Sequence, residues 1–141
     1  MRTAAAIALA FAVASLALAS PAVAASPADP VQARYTPAYD KCLAAPTGQS
    51  TMGMIDCTNG ELQVQDARLN AAYRKTMASL NARQKAKLQV AQRAWVAFRD
   101  AECASYEDED WGTISRINAS ACVLHMTVQR TMDLEAYPPG T

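Results

Sequence analysis

The chain has 141 residues, of which 51% are hydrophobic and 18% charged, and its 13 Lys and Arg balance 13 Asp and Glu. This balance gives no support for general binding to nucleic acid, which requires a surplus of basic side chains. The length is enough for one domain with one hydrophobic core and too short for two.

The first residues have the pattern of a secretory signal peptide. A basic start at Arg2 precedes an apolar run, residues 4–19, and the small-residue cleavage site Ala22-Val23-Ala24. As a helix the run would span about 24 Å, less than the roughly 30 Å hydrocarbon core of a bilayer, so stable membrane insertion is disfavoured. No cysteine directly follows the run, so the lipid-attachment pattern is missing. We therefore expect cleavage after Ala24 and a periplasmic or secreted protein.

Three segments follow the signal pattern and are expected to be a disordered leader, a helical domain and a short tail: residues 25–35, 36–137 and 138–141. The domain begins with a helix-start signal. Thr36 is a good N-cap and Pro37 a good first-turn residue, which predicts a short helix through Leu43.

The second helix is indicated by apolar residues at near-helical spacing, namely Ile55, Leu62, Leu69, Tyr73, Met77 and Leu80. Its start has two candidates. It begins near Ser50, or at Thr58, where Thr58 and Glu61 fit a capping box.

The third helix is predicted from a second cap signal. Asn81 is followed three residues later by Gln84, so the chain turns there and runs back antiparallel from Ala82 to about Asp108. Its apolar stripe is expected to face the core through Leu88, Ala91, Trp95 and Phe98.

The fourth helix follows a turn at residues 111–113 and is stopped by Pro138-Pro139. Its apolar residues step by three or four, namely Ile114, Ile117, Ala121, Leu124, Val128 and Met132. No stretch alternates with period two. The predicted fold is therefore all-α, a small antiparallel bundle of about four helices.

The four cysteines are expected to staple this bundle with two disulfides, because an even count in an exported chain favours bridges. They are Cys42, Cys57, Cys103 and Cys122. Proximity in sequence favours Cys42 with Cys57 and Cys103 with Cys122, and Cys57 with Cys103 is the main competitor. Zinc is disfavoured because there is no close cysteine pair and His125 is the only histidine.

An ion pair is expected between the second and third helices. In an antiparallel hairpin turning near Asn81, Asp66 lies opposite Arg99. Asp66 is also spaced as part of the apolar stripe, where an unpaired carboxylate is unfavourable. We expect the Asp66–Arg99 pair to stabilise the register of the helices, in preference to a catalytic role.

The turn before the fourth helix is strongly acidic and carries a tryptophan. Its acidic residues are Glu102, Glu107, Asp108, Glu109 and Asp110, next to Trp111. Basic side chains gather towards the opposite end, so the molecule should be dipolar. Such a turn would attract a basic protein and offer it an aromatic anchor. The alternative is a solvated loop whose Trp111 covers the end of the bundle.

No catalytic residue, metal site or cofactor is predicted. The acidic run lacks the alternating ligand spacing of a calcium-binding loop. His125 has no nucleophile motif around it, and all four thiols have bridging partners. Helical spacing explains the aromatic and methionine residues without a cofactor.

Several segments together resemble one protein family. They are Cys42-Leu43, the spacing from Cys57 to Glu61-Leu62, DARLNAAYRKTMASL at 66–80, AQRAWVAFRDAEC at 91–103, and Cys122 before Arg130. The chain is similar in these segments to the LprI-like lysozyme-inhibitor family of exported bacterial proteins. The resemblance implies a small, cysteine-bridged, helical periplasmic domain.

Two functions are compatible with the sequence. The first is an exported binding protein that inhibits lysozyme or another basic glycan hydrolase by occluding its cleft without covalent chemistry. The second is a periplasmic structural or accessory domain that binds another envelope protein or envelope glycan and leaves lysozyme unaffected.

Overall fold

The computed structural model describes residues 29–138. The predicted signal peptide, its cleavage site and the last residues of the tail lie outside the described residues. Four helices follow one another: α1 (Pro37–Ala44), α2 (Thr51–Ser79), α3 (Ala82–Ala104) and α4 (Ile114–Glu135). Three short 3₁₀ helices connect or precede them: Gln32–Arg34, Pro46–Gln49 and Glu109–Trp111. There is no strand within residues 29–138, which confirms the all-α prediction.

Each of the first three α-helices starts at a side chain that caps it. The Thr36 hydroxyl accepts the N–H of Tyr39, and Pro37 occupies the first turn of α1. The Ser50 hydroxyl accepts the N–H of Gly53, 3.0 Å away. The second helix therefore starts at Ser50, and the alternative start at Thr58 is wrong.

The start of α3 follows the predicted capping box. The Asn81 side chain accepts the N–H of Gln84 at 3.0 Å, and the Gln84 side chain accepts the N–H of Asn81 at 3.1 Å. The helix ends at Ala104, four residues before the predicted end at Asp108.

The main packing interface of the molecule lies between α2 and α4. One apolar cluster joins α2, α3 and the end of α4 through Leu69, Ala72, Leu80, Leu88 and Leu134. A second cluster joins α4 to the segment before α1 through Val31, Leu124 and Val128. The core therefore runs along α4, with one apolar cluster at the middle of this helix and the other at its carboxyl end.

The expected disorder of residues 25–35 is wrong for its described part, residues 29–35. Val31 is only 2% exposed and packs against α4 in the second cluster. The carbonyl of Arg34 accepts a hydrogen bond from the Gln65 side chain at 2.9 Å. The segment is ordered because α2 and α4 together provide its apolar and polar contacts.

The buried face of α2 is largely polar. Thr58, Glu61, Gln65 and Thr76 are each at most 8% exposed, and we call these four residues the polar seam. Every one of them has a hydrogen-bond partner, and within residues 29–138 no buried side-chain nitrogen or oxygen lacks one. Because each of these buried groups needs its own hydrogen-bond partner, the polar seam favours a single packing arrangement of α2 against the neighbouring segments.

Both favoured disulfides are present, Cys42–Cys57 and Cys103–Cys122. Their Cα atoms lie 5.7 Å and 5.5 Å apart. The first bridge ties α1 to α2 and the second ties α3 to α4. The competing Cys57–Cys103 pairing is excluded by this arrangement.

The predicted core stripe of α3 is wrong in half of its members. Leu88 is 2% exposed and Trp95 is partly buried, whereas Ala91 is exposed and Phe98 is 57% exposed. The reason is that α3 contacts the bundle along a narrow line, and Leu88 and Cys103 are its only buried residues.

The predicted stripe of α4 is also partly wrong. Leu124 and Val128 are buried, but Ala121 is exposed and Ile114 is 54% exposed. The buried face includes Ser115, Ala119, Thr127 and Thr131 instead. It is shifted because α4 packs against the polar face of α2, where small and hydroxyl side chains fit.

Candidate binding surface

The acidic turn between α3 and α4 has a defined backbone. After α3 ends, the Asp108 carboxylate accepts the N–H of Asp110 at 2.8 Å and so caps the 3₁₀ helix Glu109–Trp111. Gly112 then adopts a φ of 67°, a left-handed conformation that favours glycine, and the chain enters α4. We call residues Glu107, Asp108, Glu109, Asp110 and Trp111 the acidic tip.

The acidic tip presents both charge and aromatic surface to solvent. Glu107, Glu109 and Asp110 are exposed, Asp108 is half-buried, and Trp111 is 58% exposed. None of these carboxylates takes part in a salt bridge with another residue of the described chain. The tip is therefore a concentration of negative charge without salt bridges in the described chain, next to an accessible indole.

One basic side chain lies beside the tip. A shallow depression of about 520 Å³ is lined by Glu107, Asp108 and Glu109 on one side and by Arg116 of α4 on the other. A second groove, of about 500 Å³, shares Glu107 and Arg116 and is bordered by Met52 of α2. Met52 is 59% exposed, so apolar surface adjoins the charged surface.

A disulfide anchors the base of the tip. Cys103 is 1% exposed in the last turn of α3 and is bonded to Cys122 of α4. The Ser105 hydroxyl donates to the carbonyl of Glu102 at 2.6 Å, which closes the end of α3. These bonds limit the motion of the segment that carries Trp111.

Two aromatic residues near the tip are exposed, although the sequence did not predict their exposure. Tyr106 is 40% exposed and Phe98 is 57% exposed. Both border a groove between α3 and α4, of about 550 Å³, together with Met126 and His125. For Tyr106, its position directly before the acidic run is the only sequence signal that indicates exposure. For Phe98 there is no such signal, since its helical spacing predicted a core position.

The predicted Asp66–Arg99 ion pair is not formed. Arg99 donates instead to its neighbour Asp100, at 2.9 Å and 2.8 Å, and its guanidinium lies 5.1 Å from the centre of the Trp95 ring. Asp66 is exposed and accepts a hydrogen bond from Asn70 at 3.1 Å. Because Asp66 lies in solvent and not on the buried stripe, it needs no counter-ion.

The facing arrangement behind that prediction nevertheless has a counterpart in the structure. Asp66 and Arg99 line opposite sides of one groove between α2 and α3, with Tyr73 and Gln92 also in its walls. The groove is polar and holds about 550 Å³. The second and third helices are thus antiparallel, as predicted, but Asp66 and Arg99 are separated by the groove.

The acidic tip does not group its carboxylates in the geometry of a metal site. Among the residues described by the structure, no three His, Cys, Asp or Glu side chains are grouped closely enough to hold a metal ion. His125 is exposed on α4, and its Nδ1 lies 4.0 Å from the Asp29 carboxylate. In the same described part of the chain, no helix has the length and hydropathy needed to cross a bilayer.

The family model described as lysozyme inhibitor LprI matches residues 42–134. The chain belongs to the LprI family. The matched range begins at Cys42 and includes the four cysteines and the whole acidic tip. The LprI family is one of lysozyme inhibitors and is not an enzyme family.

A relative of this LprI domain is the uncharacterized protein R02472 of Rhizobium meliloti (strain 1021). It is 30% identical over 101 residues, which cover 61% of this chain and 72% of the relative. No solved structure matches the chain.

Proposed function

We propose that this LprI protein inhibits a basic glycan hydrolase such as lysozyme by placing its acidic tip in or across the cleft of the enzyme. The observation that carries the proposal is the exposed Trp111, which directly follows four carboxylates that have no salt-bridge partner in the described chain. Inhibition is non-covalent, because occlusion of a cleft requires only a stable complex.

The two components of the tip have different roles in this complex. The carboxylates of Glu107, Glu109 and Asp110 accelerate the encounter with a positively charged enzyme, an effect that added salt weakens. The indole of Trp111 supplies the apolar contact that slows dissociation, since aromatic anchors dominate interface energies.

The bonds around the tip support tight binding. The Cys103–Cys122 bridge and the Asp108 cap hold the turn in one conformation before the partner arrives. A preorganised turn loses less conformational entropy on binding than a flexible one.

We further propose that the protein acts in the periplasm or outside the cell after removal of its signal peptide. Two disulfides that use all four cysteines support an oxidising compartment. The amino-terminal pattern of Arg2, the apolar run and Ala22-Val23-Ala24 supports Sec-type export.

The test is the rate at which lysozyme clears a cell-wall suspension in the presence of the oxidised protein. Trp111→Ala should weaken inhibition at least about tenfold, as expected for an anchor worth roughly 2 kcal/mol. The triple variant Glu107→Gln/Glu109→Gln/Asp110→Asn should lower the association rate and remove most of its salt dependence, and it retains the Asp108 cap.

A matched control changes the same number of exposed carboxylates away from the tip. Asp40→Asn/Asp66→Asn/Asp133→Asn alters net charge equally and should leave the association rate nearly unchanged. Equal effects of the two triple variants on the association rate would mean that net charge, and not the position of the tip carboxylates, controls that rate. Absence of inhibition across several lysozyme classes would reject the proposal.

A second candidate function has its own supporting observation. The polar groove between α2 and α3 offers the carboxylate of Asp66, the amide of Asn70 and the ring of Tyr73, which are groups suited to a polar ligand such as an envelope glycan. An accessory domain of this kind would bind purified glycan strands and leave lysozyme turnover unchanged. Binding that is lost in Asp66→Ala/Asn70→Ala but retained in Trp111→Ala would favour it.

A further inference from the structure

One face of α3, turned away from the buried Leu88 and Cys103, is exposed to solvent, and only Phe98 at its edge also borders the groove between α3 and α4. Its exposed residues recur every three or four positions, namely Arg83, Lys87, Val90, Ala94, Phe98 and Ala101. Val90 is 59% exposed and Phe98 is 57% exposed, so the middle of the face is apolar. We call these six residues the outer α3 face.

The outer α3 face is self-complementary about its centre. Val90 lies four residues before Ala94 and Phe98 lies four residues after it. A second copy of α3, antiparallel and related by a twofold axis at Ala94, therefore places its Phe98 against Val90 of the first copy, and the reverse contact forms equally. The small side chain at Ala94 permits close approach of the two helices on the axis.

The charges on α3 favour the same orientation. In the antiparallel register Lys87 of one copy is level with Ala101 of the other and adjacent to its Glu102, so two Lys87–Glu102 pairs form. A parallel arrangement would instead set Lys87 beside Lys87 and Arg83 beside Arg83. Rim charges of this kind contribute to orientation more than to affinity.

We propose that the outer α3 face is the interface of an antiparallel homodimer of this chain. A 23-residue helix is about 34 Å long, and one helix face buries less than the roughly 800 Å² per partner of a standard interface. The dimer is accordingly weak, with a Kd on the order of 10–100 µM. The acidic tips lie beyond the two ends of the interface and stay accessible.

Sedimentation equilibrium from about 1 µM to about 1 mM protein tests the proposal across this range of Kd. The wild-type chain should pass from monomer to dimer. Ala94→Arg places two guanidinium groups on the axis and should leave the protein monomeric throughout. Ala71→Arg, at an exposed alanine of α2, is the matched control and should dimerise like wild type.

Charge reversal then tests the orientation. Lys87→Glu and Glu102→Lys should each weaken dimerisation about fivefold or more, and the double variant should regain wild-type affinity. Circular dichroism of each variant checks that α3 remains folded. A wild-type protein that stays monomeric at about 1 mM, or an Ala94→Arg variant that dimerises normally, overturns the proposal. Neither result bears on lysozyme inhibition, which depends on the tip.

Discussion

Glu61, in the middle of α2, accepts hydrogen bonds from both the backbone N–H and the hydroxyl of Thr36, which lies 25 residues earlier and caps α1. In a local capping box the third residue of the same helix accepts the N–H of the cap. Here a residue of another helix does so, and Gln65 donates to the same carboxylate at 2.6 Å. The start of α1 is thereby attached to the polar seam.

Glu61→Ala should lower the free energy of unfolding by about 2–4 kcal/mol, because it leaves the Thr36 N–H and the Gln65 amide without their charged acceptor. Urea denaturation of the oxidised protein measures the change. Asp66→Ala removes an exposed carboxylate from the same helix and should change stability by less than about 0.5 kcal/mol. Similar values for the two variants would contradict the role given to Glu61.

Two glycines of α2 should respond in opposite ways to alanine. A Cβ at Gly53 would overlap the carbonyl oxygen of Thr47, so Gly53→Ala should destabilise the fold by about 1–3 kcal/mol. A Cβ at Gly60 meets no atom within 4 Å, so Gly60→Ala should stabilise it by about 0.5–1 kcal/mol. Thermal unfolding of the two variants checks the sign. A stabilising Gly53→Ala would show that the α1–α2 connection is not closely packed.

The hydroxyl of Tyr35 should ionise at a higher pH than that of an exposed tyrosine. Burial raises the pKa of Tyr35 to about 12, and Tyr39, Asp29 and Glu61 add to the effect. The unfolded chain loses this proton near pH 10, so stability falls as the pH rises from about 10 to about 12. The absorbance of tyrosinate after a rapid pH jump follows the ionisation.

Tyr35→Phe is the control for this titration. It keeps the ring that packs edge-on against Tyr39, with centroids 5.4 Å apart, and removes the ionisable hydroxyl. The last component of the tyrosinate signal should disappear, and stability should fall less steeply over the same pH range. If the variant keeps the part of the tyrosinate absorbance that appears at the highest pH, that signal belongs to a different tyrosine.

The Cys103–Cys122 bridge should be the main attachment of the end of α3. Cys103→Ala/Cys122→Ala should lower the free energy of unfolding by about 3 kcal/mol, since the bridge closes a loop over a separation of 19 residues. Hydrogen exchange should accelerate in the last turns of α3 and in the acidic tip, and much less in the middle of α2. Cys42→Ala/Cys57→Ala should accelerate exchange in α1 instead. Uniform acceleration in both variants would argue against this local assignment.

The sequence signals that succeeded are short-range ones. The caps at Thr36 and Asn81 satisfy N–H groups three residues away, so neighbouring residues suffice to predict them. Both disulfides join cysteines in adjacent segments, which is why proximity selected the correct pairing. The acidic run and Trp111 are visible in the sequence, and all of these residues except the half-buried Asp108 are exposed in the fold.

The features that the sequence did not predict depend on partners that are distant along the chain. The polar seam of α2 carries no hydrophobic signal, and Gln65 is bonded to the Arg34 carbonyl, 31 residues away. Residues 29–35 are ordered for the same reason. Along α3, the outer stripe through Val90 and Phe98 has the same three-and-four spacing as the inner one through Leu88 and Cys103. Periodicity alone cannot decide which of two such stripes is buried.

The beginning of the described chain is held by its last helix, and this affects how the protein can fold. Val31 packs against Leu124 and Val128, and Arg34 pairs with Glu135, 101 residues later. Because α4 follows the other three helices along the chain, the early segment has no docking place until α4 is available. Any shortened product that lacks α4 loses residues from both apolar clusters together, so this architecture does not yield a smaller stable domain by truncation.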